Sequence, residues 1–165
     1  MMIYKEILQS QTGKKALHRA LMLLGRRSYT VKQIQEKLQK AGYGEEVIEA
    51  VSSYCLEMGY LNDQEYIEQW VSTHNRLKPI GKKRIIHELK LKGIDPKLVI
   101  NYLANSFTDE QEYELATSLV EKKIGHNLEI DEKSFRKLYQ FLLRRGFSSQ
   151  IALKVLSNYQ QNRIG

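Results

Sequence analysis

One cysteine, two prolines and one tryptophan stand among 165 residues. A single thiol, Cys55, makes no intramolecular disulfide, which rules out a disulfide-stapled scaffold and suits a reducing compartment. Cys55 falls on an apolar helical stripe and reads as a small buried hydrophobe rather than a nucleophile. With proline this scarce and β-branched runs few, helices can run uninterrupted, and the abundant Lys, Glu, Gln and Leu favour them. No apolar stretch approaches the ~20 residues that span a bilayer. The N-terminus shows no apolar core followed by a small-residue cleavage site. The expected setting is therefore the cytoplasm, with no membrane partner.

Catalytic signatures are missing as well. "HELKL" at His87 fails as a zinc motif because Leu91 stands where the second histidine belongs. "IGKK" lacks the upstream glycine loop of a phosphate-binding motif. His18, His74, His87 and His126 show no metal-ligand spacing, and His74 on an apolar stripe reads as a packing residue. No carboxylate pair stands out from ordinary helical surface charge. A non-enzymatic protein without metal or cofactor is expected.

What is present is positive charge, unevenly placed. The net charge is +7, which points to an acidic partner, often nucleic acid. Residues 14–43 carry eight cations and one anion, 44–80 carry seven anions and two cations, and 81–104 carry six cations and two anions. Such blocks predict separate basic and acidic faces.

A repeat of about fifty residues runs through the chain, in the range of stacked helical units. "IQEKLQKAGYGEEVI" from Ile34, "IIHELKLKGIDPKLV" from Ile85 and "LYQFLLRRGFSSQIA" from Leu138 share one plan. A leucine (Leu38, Leu89, Leu142) precedes a glycine (Gly42, Gly93, Gly146) by four residues, and an apolar residue (Tyr43, Ile94, Phe147) follows it. The glycine supplies a left-handed C′ position, and the apolar residue packs back in a Schellman closure. Lys40, Lys90, Lys92, Arg144 and Arg145 suit the negative end of the helix dipole. Asp95 with Pro96, and Ser148 with Ser149, signal the next helix. Capping boxes are expected at Thr30/Gln33, Asn62/Glu65 and Thr108/Gln111.

The predicted fold is all-α: nine helices in a tandem array of three three-helix repeats, helix-turn-helix-like, elongated and curved. Repeat boundaries fall at 14–61, 62–105 and 106–165. Residues 1–13 are expected as an arm or a short helix, and 123–131 as a long loop. The paired helices 30–41 and 45–58 have helix-turn-helix spacing, but the second carries Glu45, Glu46, Glu49 and Glu57 and no cation. Its counterparts offer only Lys97 and Lys154. These are poor readers of base edges, and a groove facing a polyanion or an acidic protein surface is favoured.

Lys82, Lys83 and Arg84 are out of place. They fall in the first turn of a predicted helix, where the dipole is positive and four N–H groups lack partners. A solvated face accounts for Arg26, Arg27, Arg144 and Arg145 near helix C-termini, and accounts poorly for this triplet.

The blocks "EKLQKAGY" at Glu36–Tyr43, "GYLND" at Gly59–Asp63, "GKKRIIHELKLKGI" at Gly81–Ile94 and "RRGF" at Arg144–Phe147 resemble the RecX family of bacterial recombination regulators. The likeness covers about residues 15–158 in order and spacing. Asn62 stands where the family usually has Asp, and both residues cap helices. The resemblance implies tandem three-helix repeats and a non-enzymatic regulator. It also implies binding to RecA, in the groove of the RecA–DNA filament, with lowered ATPase and strand exchange and restraint of recombination and the SOS response. The alternative is a basic helical protein that binds DNA itself. A monomer is expected.

Cations beside free N–H groups form an anion site, filled by a filament carboxylate or a DNA phosphate. The expected contact residues are Lys82, Lys83 and Arg84, helped by Lys78 and Arg76, by Arg26 and Arg27, and by Arg144 and Arg145. On this reading, replacing the triplet leaves stability unchanged or raises it, because three unfavourable dipole contacts are removed.

Overall fold

A computed structural model describes residues 2–125 and 129–160, with side chains from Tyr4 onward. Ten helices and no strand occur among the described residues: α1 (Met2–Gln9), α2 (Gln11–Leu24), α3 (Val31–Lys40), α4 (Glu45–Glu57), α5 (Asp63–Leu77), α6 (Lys82–Leu91), α7 (Pro96–Ser106), α8 (Asp109–Ile124), α9 (Glu132–Arg144) and α10 (Ser149–Gln160). The nine expected helices are all there, and α1 is a tenth. It packs on α2 and α4, and the Tyr4 hydroxyl donates to Glu57 Oε2. Ser10 separates α1 from α2 and caps the latter, accepting from the Gly13 N–H at 3.0 Å. A Cβ on Gly13 would collide with the carbonyl of Ile7, so glycine lets the two helices turn sharply on each other.

The expected loop at 123–131 begins later than the sequence suggests. α8 continues through Lys123 and Ile124 to Gly125, because helical bonds persist until a glycine with φ 62° stops them. His126 and the middle of that loop lie outside the described residues.

The chain forms two compact units. The first comprises residues 1–68 with 91–94. Its core gathers Ala16, Ala20, Ile34, Leu38, Val51 and Cys55, all fully buried. Burial pushes the Cys55 thiol up to about 11, which suits packing and disfavours thiolate chemistry. The capping box at Thr30 is complete. The Thr30 hydroxyl also donates to the Lys92 carbonyl at 2.7 Å, and the Val31 N–H donates to Asp63 Oδ1 at 3.0 Å. Residues distant in sequence thus finish the start of α3.

The second unit comprises residues 69–90 with 95–165. Val120, Leu142, Ala152, Val155 and Leu156 are fully buried at its centre, with Phe147 at 1% exposure. The expected caps form here too: Asp95 with Pro96 at N1, the box at Thr108/Gln111, and Ser148 accepting from the Ile151 N–H. Gly42, Gly93 and Gly146 have φ of 92°, 89° and 88°. Closing bonds run from Tyr43 N–H to the Leu38 carbonyl (3.2 Å) and from Phe147 N–H to the Leu142 carbonyl (3.1 Å). These are the 6→1 bonds of a Schellman motif.

Candidate functional site

The start of α6 does not hold free donors. Gly81 N–H donates to the Arg145 carbonyl (2.9 Å), Lys83 N–H to the Gly146 carbonyl (3.2 Å), and Lys82 N–H to Glu112 Oε1 (2.9 Å). Arg84 and Ile85 N–H turn back to the Gly81 carbonyl, each at 3.1 Å. The expected anion site at these amides is therefore filled by the chain's own groups. The end of α9 plugs into the beginning of α6, so carbonyls left without donors at one helix terminus meet amides left without acceptors at another.

Gly81 makes this approach feasible. A Cβ there would strike the carbonyl of Gly146 and the nitrogen of Phe147. Glu112, on α8, supplies the remaining acceptor and a carboxylate beside the positive end of the α6 dipole. It is 4% exposed. Burial pushes its carboxyl above the usual glutamate range, opposed by the bond from the Lys82 backbone and the charge of the Lys82 side chain.

These contacts divide the basic triplet. Lys82 Nζ lies 2.6 Å from Asp109 Oδ1 and 3.9 Å from Glu112 Oε2. The Lys82 ammonium holds the Asp109 carboxyl below the usual range through its hydrogen bond and its charge. Arg84 donates from Nη1 to the Arg144 carbonyl (3.1 Å), and its Nε lies 3.4 Å from Glu88 Oε1. Lys83 is exposed and forms no ion pair among the described residues. The cations therefore do not all oppose the dipole as solvated charges. Lys82 is a structural partner of two carboxylates, and replacing the whole triplet with acids should destabilise the unit, contrary to the sequence-based expectation.

A hollow of about 400 Å³ opens beside α6, lined by His74, Lys78, Ile80, Arg84, Glu88 and Arg145. The fold thus brings together Lys78, Arg84 and Arg145 from three separate segments. His74 stacks on Trp70, with ring centroids 3.8 Å apart and planes at 19°. Arg76 is exposed in the last turn of α5 and does not line this hollow. Arg144 lines a second hollow of about 650 Å³ with Lys123, Arg136 and Lys137, where Arg136 is held by Glu132. Arg26 and Arg27 belong to the first unit and are exposed, with the Arg27 guanidinium 4.0 Å above the Tyr29 ring. Among the described residues no group of His, Cys, Asp and Glu is arranged to hold a metal ion. No helix among them is long and apolar enough to cross a membrane.

Sequence reasoning passed over Glu112, although a signal was present. Glu112 lies one turn before Ala116 on the stripe that continues through Leu119 and Val120. A carboxylate in line with buried residues signals a partner to be found.

Three family models match in order along the chain: the first RecX three-helix domain at residues 16–55, the second at 62–101 and the third at 109–156. The chain belongs to the RecX family. It is 34% identical over 141 residues to the regulatory protein RecX of Vibrio vulnificus strain CMCP6, covering 84% of this chain and 89% of that one. It is 30% identical over 155 residues to the regulatory protein RecX of Caldanaerobacter subterraneus subsp. tengcongensis, covering 93% and 75%. The crystal structure of RecX from Lactobacillus salivarius superposes with a TM-score of 0.82 at 26% identity, over 90% of this chain and 96% of that one. A second crystal structure of regulatory protein RecX gives 0.78 at 26% identity, over 88% and 72%. The fold is accordingly three tandem RecX three-helix domains, and the relatives carrying it are named regulatory proteins.

Proposed function

We propose that this RecX-family chain regulates recombination without catalysis, in the cytoplasm. It binds RecA in the groove of the RecA–DNA filament and lowers filament ATPase and strand exchange. The observation that carries this reading is the open basic rim of the second unit. Lys83 is exposed at the start of α6, and Lys78, Arg84 and Arg145 share one hollow. An anionic surface fits there, and each well-formed charge-assisted bond would contribute roughly 1.5–3 kcal/mol. Lys82 acts in this scheme by holding the rim in place through Asp109 and Glu112. Arg76 adds to the contact from the end of α5, Arg144 from the end of α9, and Arg26 and Arg27 from the first unit.

The test separates binding from folding. Lys78→Glu with Lys83→Glu removes two exposed cations that pair with no acid among the described residues. The thermal midpoint should stay near wild type, while inhibition of RecA filament ATPase should weaken roughly tenfold or more. Lys82→Glu should instead lower the midpoint. Full inhibition by the folded double variant would reject the rim as the contact surface.

A further inference from the structure

The third repeat carries a groove away from the basic rim of α6. It is the hollow of about 650 Å³ between the end of α8 and one side of α9, a size that suits a few side chains of a partner. From α9 come Lys137, Leu138, Phe141 and Arg144, three or four residues apart along one helical face. From α8 come Lys123 and Ile124.

The lining joins an apolar floor to a charged rim. Ile124 and Phe141 are half-buried, and Leu138 closes the floor at 6% exposure. Lys123, Lys137 and Arg144 are exposed, and among the described residues none of the three meets a carboxylate. Arg136 stands on the same rim, where Glu132 already holds it. Apolar surface bordered by unanswered cations is one half of an amphipathic interface, and the missing half is apolar with acidic flanks.

The spacing of the charges selects the occupant. Lys137 and Arg144 are seven positions apart on α9, about 10 Å along the helix axis, with Leu138 and Phe141 between them. A single acidic headgroup on an alkyl chain cannot answer both cations. An extended peptide advances about 3.3 Å per residue, so acids three positions apart match that span and leave bulky residues between them over the floor. A nucleobase fits less well. The Lys123 ammonium lies 4.4 Å and the Arg145 guanidinium 5.2 Å from the Phe141 ring centroid, and a ring engaged by two cations is a poor stacking platform.

We infer that the α8–α9 groove binds a short acidic segment of a partner protein, with bulky apolar residues seated against Ile124 and Phe141 and flanking carboxylates on Lys123, Lys137 and Arg144. The inference does not rest on the filament reading, which shares only Arg144 with it.

The probe is a fluorescein-labelled, amidated peptide with two aspartates on each side of a phenylalanine–leucine pair, titrated with the full chain while anisotropy is followed. Lys123→Glu/Lys137→Glu should bind it roughly tenfold or more weakly, with a thermal midpoint near wild type because neither lysine pairs with an acid. Should that variant fold poorly, Lys123→Gln/Lys137→Gln should still lose several-fold. A peptide with two serines in place of the apolar pair should also bind roughly tenfold more weakly. Lys78→Glu/Lys83→Glu, on the α6 rim, should bind the peptide as wild type does, so failure of the groove and failure of the rim are read separately. Unchanged affinity in the folded lysine variants would overturn the assignment. So would equal binding of the serine peptide, or a matching loss in Lys78→Glu/Lys83→Glu, either of which would reduce the effect to unspecific charge attraction. Displacement by oligothymidylate as effective as by unlabelled peptide would overturn it too, and would make the groove a seat for nucleic acid.

Discussion

The backbone N–H of Lys82 donates to Oε1 of Glu112 over 2.9 Å, donor and acceptor standing 30 positions apart in the chain. That bond explains how a helix tolerates three cations in its first turn. The carboxylate sits where the dipole favours negative charge, and two carbonyls from the end of α9 take the neighbouring amides.

Glu112→Ala should cost roughly 1–3 kcal/mol, the penalty for leaving a buried donor unpaired. Glu112→Gln keeps an acceptor oxygen and removes the buried charge, so it should be far milder near neutral pH. Burial raises the Glu112 carboxyl. Its protonation therefore adds stability in full below the ordinary glutamate value of about 4.3, and that increment is lost as pH rises through the raised value. The glutamine variant has no such increment. Urea unfolding of both proteins between about pH 4 and pH 7 should show the wild type losing ground to Glu112→Gln as pH rises. Asp109 is shifted the other way by Lys82. Its contribution is present above the ordinary aspartate range and is lost as pH falls through the lowered value, outside that window. A pH-independent difference between the two proteins would contradict the burial of an ionised carboxyl at the α6 start.

The repeat glycines should not be equivalent. Gly42 has φ 92°, and a Cβ added there would meet nothing within 4 Å, so Gly42→Ala should cost only backbone strain of about 1–2 kcal/mol. At Gly93 the added carbon meets the Lys32 side chain from Cβ to Cδ, whose outer part can move, and at Gly146 it meets the Cβ and backbone of Arg84, which cannot. Gly146→Ala should therefore cost a further 1–3 kcal/mol or so for overpacking. Chemical unfolding should rank Gly146 above Gly93 and Gly93 at or above Gly42. Equal losses at Gly42 and Gly146 would mean that docking of α9 on α6 carries little energy.

Thr30 is fully buried and uses its hydroxyl twice, accepting from Gln33 N–H at 3.1 Å and donating to the Lys92 carbonyl at 2.7 Å. Thr30→Val preserves shape and removes both bonds, with an expected loss of roughly 1–3 kcal/mol. Thr30→Ser keeps the hydroxyl and should retain most of the stability. Matching losses in the two variants, read from denaturant midpoints, would show that the methyl group rather than the hydroxyl matters.

Features written in neighbouring residues were legible. Thr30/Gln33, Thr108/Gln111 and the glycines at 42, 93 and 146 are local rules, each satisfied within a few positions of chain. The triplet at 82–84 was legible as an anomaly but not as a solution, because its acceptors come from residues 112, 145 and 146. Chain pairing over such distances leaves little mark on local pattern. Glu112 and Gly81 were the two marks, a carboxylate in an apolar stripe and a glycine where backbone meets backbone. The pattern of residues 1–13 fits an arm and a helix equally, since eight residues alone make a marginal helix, and only packing on α2 and α4 decides for α1. On α9, the count of cations was plain, but which of them the chain leaves unpaired depends on where its acids fold.

The meeting of α6 with the end of α9 also has a consequence in time. Arg84 and the Arg144 carbonyl that it bonds are 60 positions apart. A ribosome delivers the donors first. At roughly 5–20 residues per second, the acceptors follow about 3–12 s later. During that interval the first turn of α6 carries its cations with no carbonyls to meet its amides, a combination that disfavours helix. The nascent second repeat waits on the third, and a chain released before α9 is made leaves α6 frayed at its basic end, exposed to proteases.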